Sequence, residues 1–76
     1  MNNSRRKRIN GSIMVLKEAQ AKLEVVLREE QIALTMLSDD EEYNDMRNGM
    51  EEIITGLEEL MPTLQDAIDS LEGADF

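Results

Sequence analysis

The side chains best equipped for chemistry in this sequence are Arg5, Arg6, Lys7 and Arg8, four cations in a row. A guanidinium is a planar fork of donors that meets a phosphate or carboxylate with two bonds at once, so the chemistry on offer is anion recognition. If several copies of the chain bring Arg5, Arg6 and Arg8 together, they form a grip for the phosphates of a nucleotide, with Phe76 or Tyr43 as an aromatic face. A purely internal use competes with this one. Two helices folded about a turn near residue 38 set Arg5 beside Glu72 and Arg8 beside Asp69, in exposed pairs that stabilise by only about 0–1 kcal/mol each. Either way the cluster needs anions nearby, because four cations at the start of a helix oppose its dipole.

The remaining polar groups exclude more than they offer. With no His and no Cys there is no imidazole base and no thiolate, and the few hydroxyls have nothing to activate them. The pairs Glu51-Glu52 and Glu58-Glu59 invite comparison with carboxylate metal centres in helical bundles. Those centres add a Glu-x-x-His spacing that a His-free chain lacks, so the pairs read as solvated faces. The run from Asp39 to Asp45 fails as a calcium loop: counted from Asp40, its sixth position is Asp45, where the turn needs Gly. The expectation is a protein that is not an enzyme and uses no metal and no cofactor.

Charge narrows the partners further. The net value is −9, with seven Lys/Arg against four Glu in residues 1–37 and Arg47 alone against thirteen Asp/Glu in residues 38–76. An acidic whole repels phosphates, which disfavours direct nucleic acid binding by the general surface and leaves the basic end as the place for an anion. One Tyr and one Phe are too few for the repeated stacking that single strands need. No apolar run approaches the roughly 20 residues of a membrane span, and the basic start leads into a charged, periodic segment unlike a signal peptide. The expected setting is the cytoplasm, with no membrane contact.

The elements that must position these groups are two helices. Tyr43, Met46, Met50, Ile53, Leu57, Leu60, Leu64, Ala67 and Leu71 recur at alternating steps of three and four, a seam for which a strand has no use. Ile9, Ile13, Leu16, Gln20, Leu23, Leu27, Glu30, Leu34 and Leu37 keep the same rhythm, with Gln20 and Glu30 either fixing register or forming a polar site inside an oligomer. Asn2, Asn3 or Ser4 can cap the first helix, and the step from Ile9 to Ile13 keeps phase across Gly11, which favours one continuous helix over a loose basic arm. Ser38 and Glu41 have the spacing of a capping box, although Asn48-Gly49 offers a later start to the second helix. Pro62 must bend that helix, and Gly73 stops it. The expected fold is therefore all-α, a single domain over residues 1–76. It is an antiparallel two-helix hairpin with a helix at about 4–37, a turn at about 38–40, and a helix at about 40–72 kinked at Pro62.

Such a short chain without disulfide or zinc needs outside help to be stable. Val25, Ile32 and Met36 on the first helix, with Ile54, Met61 and Ile68 on the second, widen the apolar stripe beyond what one partner helix covers. They are the expected contacts of a homo-oligomeric bundle, either a dimer of hairpins or a larger symmetric assembly. Columns of small residues, Ser12, Ala19, Val26 and Ala33 on one helix and Gly49, Gly56, Thr63 and Ser70 on the other, predict close packing of the two backbones.

Arg5-Arg6-Lys7-Arg8-Ile9, Glu29-Glu30-Gln31, Gly49-Met50-Glu51-Glu52-Ile53 with Leu57-Glu58, and Ala67-Ile68-Asp69-Ser70-Leu71-Glu72 resemble small helical proteins of phages and prophages of Gram-positive bacteria. The resemblance implies a phage accessory protein in an infected or lysogenic host, and it carries no catalytic or binding residues with it. Accessory proteins of this class act on host immunity, by sequestering nucleotide signals or by occupying a host protein. The leading expectation is an oligomeric sponge for an anionic signalling nucleotide held by Arg5, Arg6, Arg8 and Phe76. The alternatives are an acidic nucleic-acid mimic that inhibits a host protein and a structural piece of the phage assembly.

Overall fold

Two long helices and one short connection make up the computed structural model, which describes residues 3–74. Helix α1 spans Asn3–Met36 without a break at Gly11, and helix α2 spans Asn44–Gly73 as one helix that continues through Pro62 although the proline donates no amide there. A single 3-10 turn, Glu41–Tyr43, leads into α2. Lys17 pairs with Glu72, Gln20 with Gln65 and Gln31 with Glu58, partners that descend along α2 as they ascend along α1. The helices are therefore antiparallel, in a rod 59 Å long and about 15 Å across.

The turn is built differently from the capping box expected there. The Ser38 hydroxyl accepts the Asp40 amide at 3.3 Å, not that of Glu41, and the Tyr43 amide donates to the Asp40 carbonyl. Arg47 holds the turn closed. Its guanidinium donates to Asn44 Oδ1 at 2.9 Å and to the Ser38 carbonyl, and lies 3.8 Å from Asp39. With this stapled turn in place, α2 starts at Asn44, four residues beyond the expected position. At its other end α2 runs through Gly73 to an extended Ala74, and no described residue takes the left-handed conformation of a glycine stop.

The longer turn moves the register. Glu72 meets Lys17 at 2.6 Å instead of Arg5, and Asp69 accepts from Gln65 instead of reaching Arg8. The first turns of α1, which carry Arg5 to Arg8, consequently run on past the level at which α2 ends.

The inner seam of α1 is the expected one, with Ile13 buried and Leu16, Leu23, Leu27, Leu34 and Leu37 half-buried. That of α2 is not. Tyr43, Met50, Leu57, Leu64 and Leu71 face α1 as expected, but the column beside them is Arg47, Ile54, Met61 and Ile68, and Met46, Ile53, Leu60 and Ala67 face out. Ile54 and Ile68, at 9% and 1% exposure, join Ile13 as the buried core among the described residues. The two columns continue the shared seam equally well, by a step of four or of three. The step of four wins because it turns Glu58, Gln65 and Glu72 toward Gln31, Gln20 and Lys17, closing one edge with polar bonds, while Ile68 fills the seam where Ala67 would leave a gap. Gly49 and Gly56 sit with open space where a Cβ would be, so the expected close backbone packing along the small-residue columns does not occur within the chain.

Candidate functional site

Three features stand out on the hairpin: a basic end, an acidic end and an apolar edge. At the basic end, residues on a helix advance by about 100° each, so Arg5 and Arg8 share a face and Arg6 turns away from them. Arg5 and Arg8, with Ile9 and Ser12, line a concavity of about 400 Å³. Ser12 donates to the Arg8 carbonyl at 3.0 Å, which holds its hydroxyl against this turn of the helix. The hollow continues past Gly11 to Val15 and Leu16. Arg6 instead joins Asn10, Ile13, Lys17, Leu71 and Glu72 around a second hollow of about 510 Å³. The structure thus brings two of the three expected arginines together. Phe76, the expected stacking group, lies outside the described residues.

At the other end Asp39, Asp40, Glu41, Glu42 and Asp45 are all exposed around the turn. Arg47, whose part in closing the turn was not expected from the sequence, is the sole cation among residues 38–76. The two ends are separated by most of the rod, roughly 45 Å from Arg8 to Asp39 along α1.

The apolar edge lies opposite the polar edge that Lys17–Glu72 and Gln31–Glu58 close. On α2 it consists of Met46, Ile53 and Leu60, one every seven residues, with Ile53 51% exposed. On α1 it continues through Val15, Val26 and Met36, the last 80% exposed, with Val25 and Ile32 further round. Of the six residues expected to contact another copy, Val25, Ile32 and Met36 are on this exposed side, whereas Ile54 and Ile68 are buried inside the hairpin and Met61 is half-buried there.

Compared with known proteins, the chain matches no family model, no curated protein and no solved structure. Among the described residues no three His, Cys, Asp or Glu side chains are grouped to hold a metal ion, and no helix is long and apolar enough to cross a membrane.

Proposed function

We propose that this protein is a non-catalytic, homo-oligomeric binding protein of phage type that sequesters an anionic ligand, a signalling nucleotide being the leading candidate. The observation that carries the ligand part is the pairing of Arg5 and Arg8 on one face around an open hollow. Two guanidiniums within one helical turn can each take two phosphate oxygens, and Ile9 supplies an apolar wall against a sugar or base. The oligomeric part rests on surface area. The chain exposes 5761 Å², about 1,000 Å² more than the roughly 4,700 Å² usual for a folded monomer of its 8.7 kDa mass. A standard interface takes about 800 Å² from each partner, so one further copy on the apolar edge absorbs the excess. Pro62 deprives the Glu58 carbonyl of its amide, and in this reading the resulting bend lets α2 follow a second hairpin as well as α1.

Titration calorimetry of the protein with a panel of cyclic nucleotides tests the ligand, alongside the combined Arg5→Ala, Arg6→Ala and Arg8→Ala variant. Heat from one nucleotide that the variant abolishes supports the reading, and no heat from any of them overturns it. The five exposed carboxylates of the turn favour a second reading, an acidic decoy for a host nucleic-acid-binding protein. Recovery from host lysate of a basic protein that is released by salt, and lost with Glu41→Gln and Glu42→Gln, separates the two.

A further inference from the structure

The apolar edge runs most of the length of the rod, but the charges at its two ends differ in sign. One end carries Arg5 and Arg8 beside the edge, and the other carries Asp39, Asp40, Glu41, Glu42 and Asp45 around the turn. Two hairpins can bury the edge against each other either with the same ends together or with opposite ends together. The same-end arrangement stacks two basic clusters at one end and two acidic turns at the other, a like-charge juxtaposition at both ends. The opposite-end arrangement satisfies both.

We propose that a second copy of this chain docks antiparallel on the apolar edge, so that Arg5 and Arg8 of each copy lie against the acidic turn of the other. The proposal rests on the self-association reading above and adds to it the face, the direction and the role of the cluster. A two-fold axis through the middle of the edge on α1, from Val15 to Met36, falls near residue 25. It brings Arg5 to Arg8 to the level of residues 42–45 of the other copy, within the acidic turn. The register inside the chain prepares this contact, because the pairing of Lys17 with Glu72 carries the start of α1 past the end of α2. Gly49 and Gly56, with nothing against them in the hairpin, border the edge and allow the second backbone to approach. A soluble anion must then displace the acidic turn to reach Arg5 and Arg8, so anion binding and dimerisation oppose each other, and by linkage each weakens the other by the same factor.

The chain has no Cys, so single-cysteine variants carry a label at one known place. Spin labels on Asp40→Cys lie about 45 Å apart across an antiparallel dimer and within about 25 Å of one another in a parallel one. The long distance supports the proposal, and the short distance overturns it while leaving self-association intact. A particle of single-chain mass with no label-to-label coupling overturns self-association itself, and the proposal with it. A charge exchange gives a second arm. Arg5→Glu with Arg8→Glu weakens the dimer tenfold or more in sedimentation equilibrium, and adding Glu41→Arg with Glu42→Arg to the same chain restores it. Failure of that restoration shows that the two ends do not meet.

Discussion

Ile53 and Ile54 are the same residue type at adjacent positions, and they answer to different partners, so truncating each to Ala separates the inside of the hairpin from its outer edge. Ile54 is 9% exposed against α1, and removing three methyl or methylene carbons from such a site costs about 2–4 kcal/mol, lost transfer energy and cavity together. For a domain of this size that lowers the melting temperature by about 10–30 °C. Ile53→Ala leaves the hairpin itself within about 0.5–1 kcal/mol, since the side chain is 51% exposed on the outer edge. In a two-fold interface, however, its loss is felt twice, at about 1 kcal/mol per copy, which weakens the dissociation constant roughly 30-fold. Circular dichroism melts across a hundredfold range of protein concentration read both effects. Ile54→Ala should fall at every concentration and keep the slope of melting temperature with concentration, whereas Ile53→Ala should lose the slope. An equal fall in both, with the slope untouched, refutes the placement of the two columns.

Three other perturbations follow from the same geometry. Gly11 lies in an exposed helical stretch with open space at its missing Cβ, so Gly11→Ala should stabilise by about 0.5–1 kcal/mol, seen as a melting temperature several degrees higher in calorimetry. Arg47→Ala removes the clamp on the Ser38 carbonyl and Asn44, and should cost about 1 kcal/mol and speed amide exchange selectively at residues 38–45. Gln20 is half-buried in the seam and bonds Gln65 at 2.5 Å on the polar edge; Gln20→Leu returns Gln65 to water and adds apolar contact, so thermal stability should rise, and a drop would mean that the amide pair contributes more than packing.

The seam of α1 was legible because its two columns are mostly leucine and isoleucine, while the column beside them holds only the smaller Ser12, Ala19, Val26 and Ala33. In α2 two rivals did lie beside the shared column, Met46-Ile53-Leu60-Ala67 and Ile54-Met61-Ile68, and apolarity alone does not rank them. The ranking comes from the polar partners: Lys17, Gln20 and Gln31 can reach Glu72, Gln65 and Glu58 only when Ile54 and Ile68 face inward. That information sits in the sequence, but it becomes readable only once the register is known, and the register depended on the turn. Ser38 and Glu41 had the spacing of a capping box, yet Arg47 reaches back nine residues to the Ser38 carbonyl and holds a longer turn. The basic cluster at Arg5 to Arg8 needed no structure to be noticed. What the fold adds is its division, with Arg5 and Arg8 on one face and Arg6 on another beside Glu72, and the pairing of Glu72 with Lys17 and of Asp69 with Gln65 in place of the Arg5 and Arg8 pairs expected.

In the proposed dimer the apolar edge is the surface that a second copy of the chain covers. Light scattering coupled to size exclusion, run from micromolar to hundreds of micromolar, measures this directly. A particle of twice the 8.7 kDa chain mass that Ile53→Lys with Leu60→Lys reduces to a folded single chain is the predicted result. A single-chain mass for the unaltered protein at the highest concentration contradicts it.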